Sequence, residues 1–117
     1  MRISKILRCA AVILATTGSS LSFGNANGAG KVSVIGGKVA GGTSLYFGIT
    51  PEPTNRAACS TDSGYHFVLD PSTPEGQALY SAILMAASTK TQIYVTGTGT
   101  CDLGQPMEGV QYWSVVP

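Results

Sequence analysis

From residue 31 onward, apolar and polar positions fall into short alternating runs broken by glycine and proline, with one longer stretch of helical spacing. Lys31-Val-Ser-Val-Ile35 and Ser44-Leu-Tyr-Phe-Gly-Ile49 read as strands, and the turn holding Gly36, Gly37, Gly41 and Gly42 joins them as an antiparallel pair. Pro51, Pro53 and Asn55 interrupt any ladder, so a loop carrying Cys59 precedes the third strand, Tyr65-His-Phe-Val-Leu69.

Asp70-Pro-Ser-Thr-Pro-Glu75 is turn chemistry running into a helix start. Ser72 with Glu75 forms a capping box, or Thr73 caps with Pro74 at the first helical position. Ala78, Leu79, Ala82, Ile83 and Ala86 share one face, Tyr80, Leu84 and Ala87 widen the apolar arc, and the helix ends near Ser88 to Lys90. So wide an arc has two uses: plugging the end of a barrel, or meeting another subunit. Thr91-Gln-Ile-Tyr-Val-Thr96 alternates as a fourth strand, Gly97-Thr-Gly-Thr-Cys101 makes its end and loop, and Gly109 to Val116 form the last. The order β-β-β-α-β-β predicts a mostly β domain with one helix, a five-stranded antiparallel Greek-key barrel of OB-fold type. A β-sandwich suits five short strands and one capped helix less well.

Composition adds the compartment. The chain has 117 residues, 11 % of them charged and 44 % hydrophobic, which is enough for one small domain. Arg2, Lys5 and Arg8 precede the apolar run Cys9 to Ala15, and Gly24-Asn-Ala26 supplies small residues for a cleavage site, so residues 1–26 read as a signal peptide and 27–117 as the exported domain. The run is too short for a retained membrane anchor, and Cys9 lies on the wrong side of it for lipidation. Residues 27–117 carry four cationic side chains against six carboxylates, a net charge of −2. No cluster of Lys and Arg is present to displace counterions, so nucleic acid and anionic membrane are poor partners. Cys59 and Cys101 then read as one disulfide closing a loop of roughly 43 residues. A zinc site would have to recruit carboxylates around the one histidine at no familiar spacing.

Little points to catalysis, and the chain is read as a non-enzyme without cofactor or metal. His66 has Ser60, Asp62 and Ser63 nearby in sequence, but strand alternation sets it on the face opposite Tyr65 and Phe67, as a sheet-surface residue. The six carboxylates lie scattered among loops, none paired for acid and base work. Gly97-Thr-Gly99 lacks the following helix that a phosphate cradle requires. Tyr46, Tyr65, Tyr94, Tyr112 and Trp113 offer faces suited to sugar C–H surfaces, with Tyr112 and Trp113 on opposite sides of their strand.

Tyr46-Phe47 with Ile49, Ala58-Cys59-Ser60, Gln77-Ala-Leu-Tyr80 and Ile93-Tyr94 resemble the B subunits of the subtilase cytotoxin family, a likeness that covers most of residues 31–97. The resemblance implies a secreted OB-fold subunit that assembles as a homopentamer, binds sialylated host-cell glycans and carries a toxin active subunit. It carries the ligand site onto Ser33 and Tyr94; Tyr46, one of the aromatic faces already named, is a further candidate ligand contact. Two departures stand out. The family pairs the cysteine before strand three with one in the preceding strand, where this chain has Gly48, and Tyr94 is followed by Val95 instead of a second tyrosine. The alternative is a stand-alone periplasmic or secreted monomer that binds a protein or peptide, as an inhibitor or envelope accessory protein.

Overall fold

The computed structural model describes residues 25–116; the basic and apolar segment read as a signal peptide lies outside the described residues except for Asn25 and Ala26. Five strands and one helix follow one another as β1 (Asn27–Lys38), β2 (Ser44–Thr50), β3 (Phe67–Leu69), α1 (Pro74–Thr89), β4 (Gln92–Gly97) and β5 (Glu108–Val115). The strands close into a barrel in the order β1-β2-β3-β5-β4.

β1 is longer than its alternating pattern predicts because it serves two neighbours. Residues Asn27 to Lys31 pair with β4, and Lys31 to Lys38 pair with β2. Lys31 pairs with both neighbours, and two residues beyond it the register with β2 shifts at Ser33, between the pairs Val32↔Ile49 and Val34↔Gly48. The sheet is mixed, which corrects the all-antiparallel expectation: β3 and β5 run parallel through Phe67↔Glu108 and Val68↔Gly109. The reason is parity. Five strands in a closed ring cannot all alternate in direction, so at least one neighbouring pair must be parallel.

Phe47, Ile49, Phe67, Leu69, Ile93 and Val95 point into the barrel and are buried, with the Phe47 and Phe67 rings 5.6 Å apart. α1 covers this core with Leu79, Ile83 and Ala86. Thr73 is its cap: its Oγ1 accepts the Gly76 N–H at 2.9 Å, and Pro74 takes the first turn. Ser72 instead donates to Asp70, so the capping-box alternative is not used. The helix stops at Lys90, which adopts a left-handed φ of 59°. Ala78, expected on the inner face, is exposed, because the face actually used follows Leu79, Ile83 and Ala86.

Cys59 and Cys101 are bonded, as their number predicts. The bridge ties the loop between β2 and β3 to the loop between β4 and β5, and the Thr61 N–H adds a bond to the Pro106 carbonyl at 3.1 Å. Gly48 shows why the family's other pairing has no room here. A side chain at this position would collide with the Gly64 carbonyl, so β2 and the 51–66 loop lie too close for a cysteine between them.

Candidate functional site

A groove of about 460 Å³ opens between the N-terminal turn of α1, the parallel β3–β5 pair and the loop after β4. Trp113 and Gln111 reach it from β5, Thr98 and Asp102 from the loop, and Asp70 and Glu75 from the start of the helix. Trp113 is half-buried and packs against the core, whereas its neighbour Tyr112 is 56 % exposed on the outer surface, as alternation requires. Asp70 is fixed by Ser72, whose N–H and Oγ donate to Oδ1 at 2.9 and 2.6 Å and hold the carboxyl below the usual carboxylate range. Asp102 accepts the Thr100 hydroxyl at 2.8 Å. Among the described residues, no Lys or Arg lines the groove. An adjoining smaller cleft shares Asp70 and Leu103 and brings in Lys38.

Such walls offer an aromatic face, a side-chain amide and carboxylate acceptors. They suit a hydroxyl-rich ligand. The carboxylates repel an anion laid directly against them.

The ligand-site residues expected from the sequence lie elsewhere. Ser33 is exposed at the β1 irregularity; Tyr94 sits opposite Ala29, four residues along β1; and Tyr46 sits opposite Gly36, three residues the other way. At about 3.3 Å per residue the two tyrosines flank Ser33 at separations of roughly 10–13 Å along the strand. Tyr46 packs edge-on against Tyr65 at 4.8 Å, and Tyr94 against Tyr112 at 6.1 Å.

His66 corrects its expected place on the sheet surface. It is buried at 4 % exposure, and its Nδ1 accepts the Ile49 N–H at 3.0 Å while its backbone N–H donates to the Phe47 carbonyl at 2.9 Å. The imidazole thus extends the β2–β3 ladder by one side chain. Alternation fails here because regular strand begins only at Phe67, and residues 66–69 are covered on both sides. The neighbouring polar groups are committed to the loop: Arg56 donates to Ser60 and the Asp62 carbonyl and pairs with Glu52 at 2.9 Å, while Asp62 Oδ2 accepts the Gly64 and Tyr65 N–H groups.

Burial, and next the Arg56 charge, push the His66 pKa below its ordinary 6.5. The unfolded chain therefore takes up this proton more readily than the native one, and stability falls as pH drops below 6.5. Thermal melts from neutrality to about pH 5 should show a falling midpoint that flattens in His66→Gln. An unchanged slope in that variant would assign the acid sensitivity to other groups.

Glu108 also departs from the expectation of scattered loop carboxylates. It opens β5 with no exposure, and its two oxygens collect three backbone donors: Ala26 N–H at 3.2 Å and Gly99 N–H at 2.9 Å on Oε1, and Ala57 N–H at 2.8 Å on Oε2. A side chain at Gly97 would fall on the same carboxylate, which explains the glycine. Nothing in the linear sequence marks Glu108, since its donors come from three separate segments.

Among the described residues, no group of three or more His, Cys, Asp and Glu side chains is placed to hold a metal ion, and no helix is long and apolar enough to cross a membrane. Fold and site together define a small disulfide-stapled β-barrel with one helix and a carboxylate-lined groove beside a tryptophan. No family model, curated protein or solved structure matches the chain.

Proposed function

We propose that this chain is an exported domain of OB-fold type that works by binding, without catalysis, and that its ligand is a glycan held in the groove beside Trp113. The strand order, with the helix between β3 and β4, supports the OB-fold reading. The observation that carries the ligand reading is the pairing of the Trp113 face with Asp70, Asp102 and Gln111 in one groove. Aromatic faces pack on sugar C–H surfaces, and carboxylates and amides bond hydroxyls.

Charge then separates this groove from the sialylated ligands that the family resemblance implies. A sugar lying on the carboxylates is neutral, and an acidic substituent finds a cation only by reaching into the adjoining cleft, where Lys38 lies. On an array of neutral and sialylated glycans, the protein is expected to retain neutral ones. Trp113→Ala should weaken retention roughly tenfold, about 1.4 kcal/mol, while Tyr94→Ala leaves it unchanged. Retention lost in Tyr94→Ala but kept in Trp113→Ala would move the site to the β1–β4 surface.

Assembly rests on α1. Glu75 is the helix's one charged residue, and its outward face exposes Leu84 and Met85 at 44 and 45 %. An uncharged helix face of this kind supports the homopentamer, whose repeated sites would convert weak sugar contacts into avidity. Light scattering separates this reading from the alternative. A monomer at all concentrations favours a stand-alone binder of a protein or peptide, with no toxin active subunit to carry.

A further inference from the structure

We infer that export processing of this chain spares Ala26, cutting the Gly24–Asn25 bond instead of the Ala26–Asn27 bond, so that the mature protein begins at Asn25. The inference rests on the export reading above and adds to it which bond is cut.

Ala26 is part of the folded domain. Its methyl is fully buried in the cluster that contains Phe47, Ile49 and Val95. Its N–H donates to Glu108 Oε1 at 3.2 Å, and its carbonyl accepts the buried Gly97 N–H at 2.7 Å. Asn25 is engaged as well: its Nδ2 donates to Gln111 Oε1 at 3.1 Å. A cut after Ala26 would remove a core methyl, take one of three donors from a buried carboxylate and leave the Gly97 N–H without its acceptor. Buried polar groups left unpaired are costly, so a mature chain starting at Asn27 lacks pieces its own interior requires.

The sequence offers a second bond that meets the same small-residue requirement. A cut after Gly24 sets Gly24 and Ser22 at the last and third-last positions of the leader, as a cut after Ala26 would set Ala26 and Gly24. Both bonds satisfy the peptidase. Only the first delivers Asn25 and Ala26 to the fold.

The test is the intact mass of the disulfide-bonded protein recovered from the periplasm of a bacterium expressing the full chain, with the N-terminus confirmed by sequencing. The expected product begins at Asn25. Ser22→Asp is expected to abolish the product that begins at Asn25 and to shift cutting to the Ala26–Asn27 bond, because it charges the third-last position of a cut after Gly24 while lying two residues outside the corresponding window for a cut after Ala26. A wild-type product that begins at Asn27, or an undiminished Asn25 product from Ser22→Asp, overturns the inference and leaves export standing. Recovery of the uncut chain alone overturns both.

Discussion

Glu108→Ala is expected to cost about 4 kcal/mol, a large share of what holds a domain of this size folded. The carboxylate satisfies three backbone N–H groups contributed by Ala26, Ala57 and Gly99. Each buried donor left alone costs about 1–3 kcal/mol, and the side chain's fully buried volume adds a cavity. Small domains hold only about 5–15 kcal/mol in total. Glu108→Gln should be intermediate, at about 2 kcal/mol, because its amide oxygen keeps two donors on one side while its NH₂ meets the Ala57 N–H with nothing to accept it. Urea titration of both variants checks the order. Equal stabilities for Gln and wild type would mean that volume, not acceptor chemistry, is what the site requires.

The second large effect is the Cys59–Cys101 bridge. Its sequence separation of 42 corresponds to about 4 kcal/mol on the chain-entropy estimate. For a domain of this size the double variant Cys59→Ser, Cys101→Ser should melt roughly 20 °C lower, and reductant should lower wild type by a similar amount. A shift of only a few degrees would mean that the Thr61 and Asp62 bonds to Pro106 already hold the two loops together in its absence. The two effects will not add. Glu108 binds Gly99 and the disulfide binds Cys101, so both act on the same stretch of chain between β4 and β5.

Much of the fold is legible in the chain because it is written in periodicity. β4 alternates Ile93 and Val95 inward against Gln92 and Tyr94 outward, and Thr73-Pro74 announces the helix by capping chemistry. The start of β1 is written differently. Asn27 to Gly30 offer no alternating apolar pattern, yet they pair with β4, and their glycines let residues 50–53 lie close along the other side. A side chain at Gly30 would strike the Thr50 carbonyl, and one at Gly28 would crowd Pro53. His66 and Glu108 escape a local reading for another reason. Each is a polar group that completes someone else's backbone, and which backbone is settled only when Ile49, or Ala26 with Ala57 and Gly99, arrive beside it. The groove falls between these cases. Trp113 stands out by composition, but its partners Asp70 and Asp102 lie on opposite sides of the helix in sequence and meet through closure of the barrel.

The parallel pair that parity imposes has a further consequence. It is the shortest ladder in the ring, two residue pairs between β3 and β5, and it joins positions some forty residues apart in the chain. Val68 and Gly109, which face each other across that seam, also line the groove, as do Leu69 and Val110 beside them. A molecule seated there spans both banks of the barrel's least-stitched joint, so its binding energy is also closure energy. Occupancy and shape are thereby thermodynamically linked: opening of the seam, the event that would begin to unroll the sheet, is suppressed in proportion to ligand saturation.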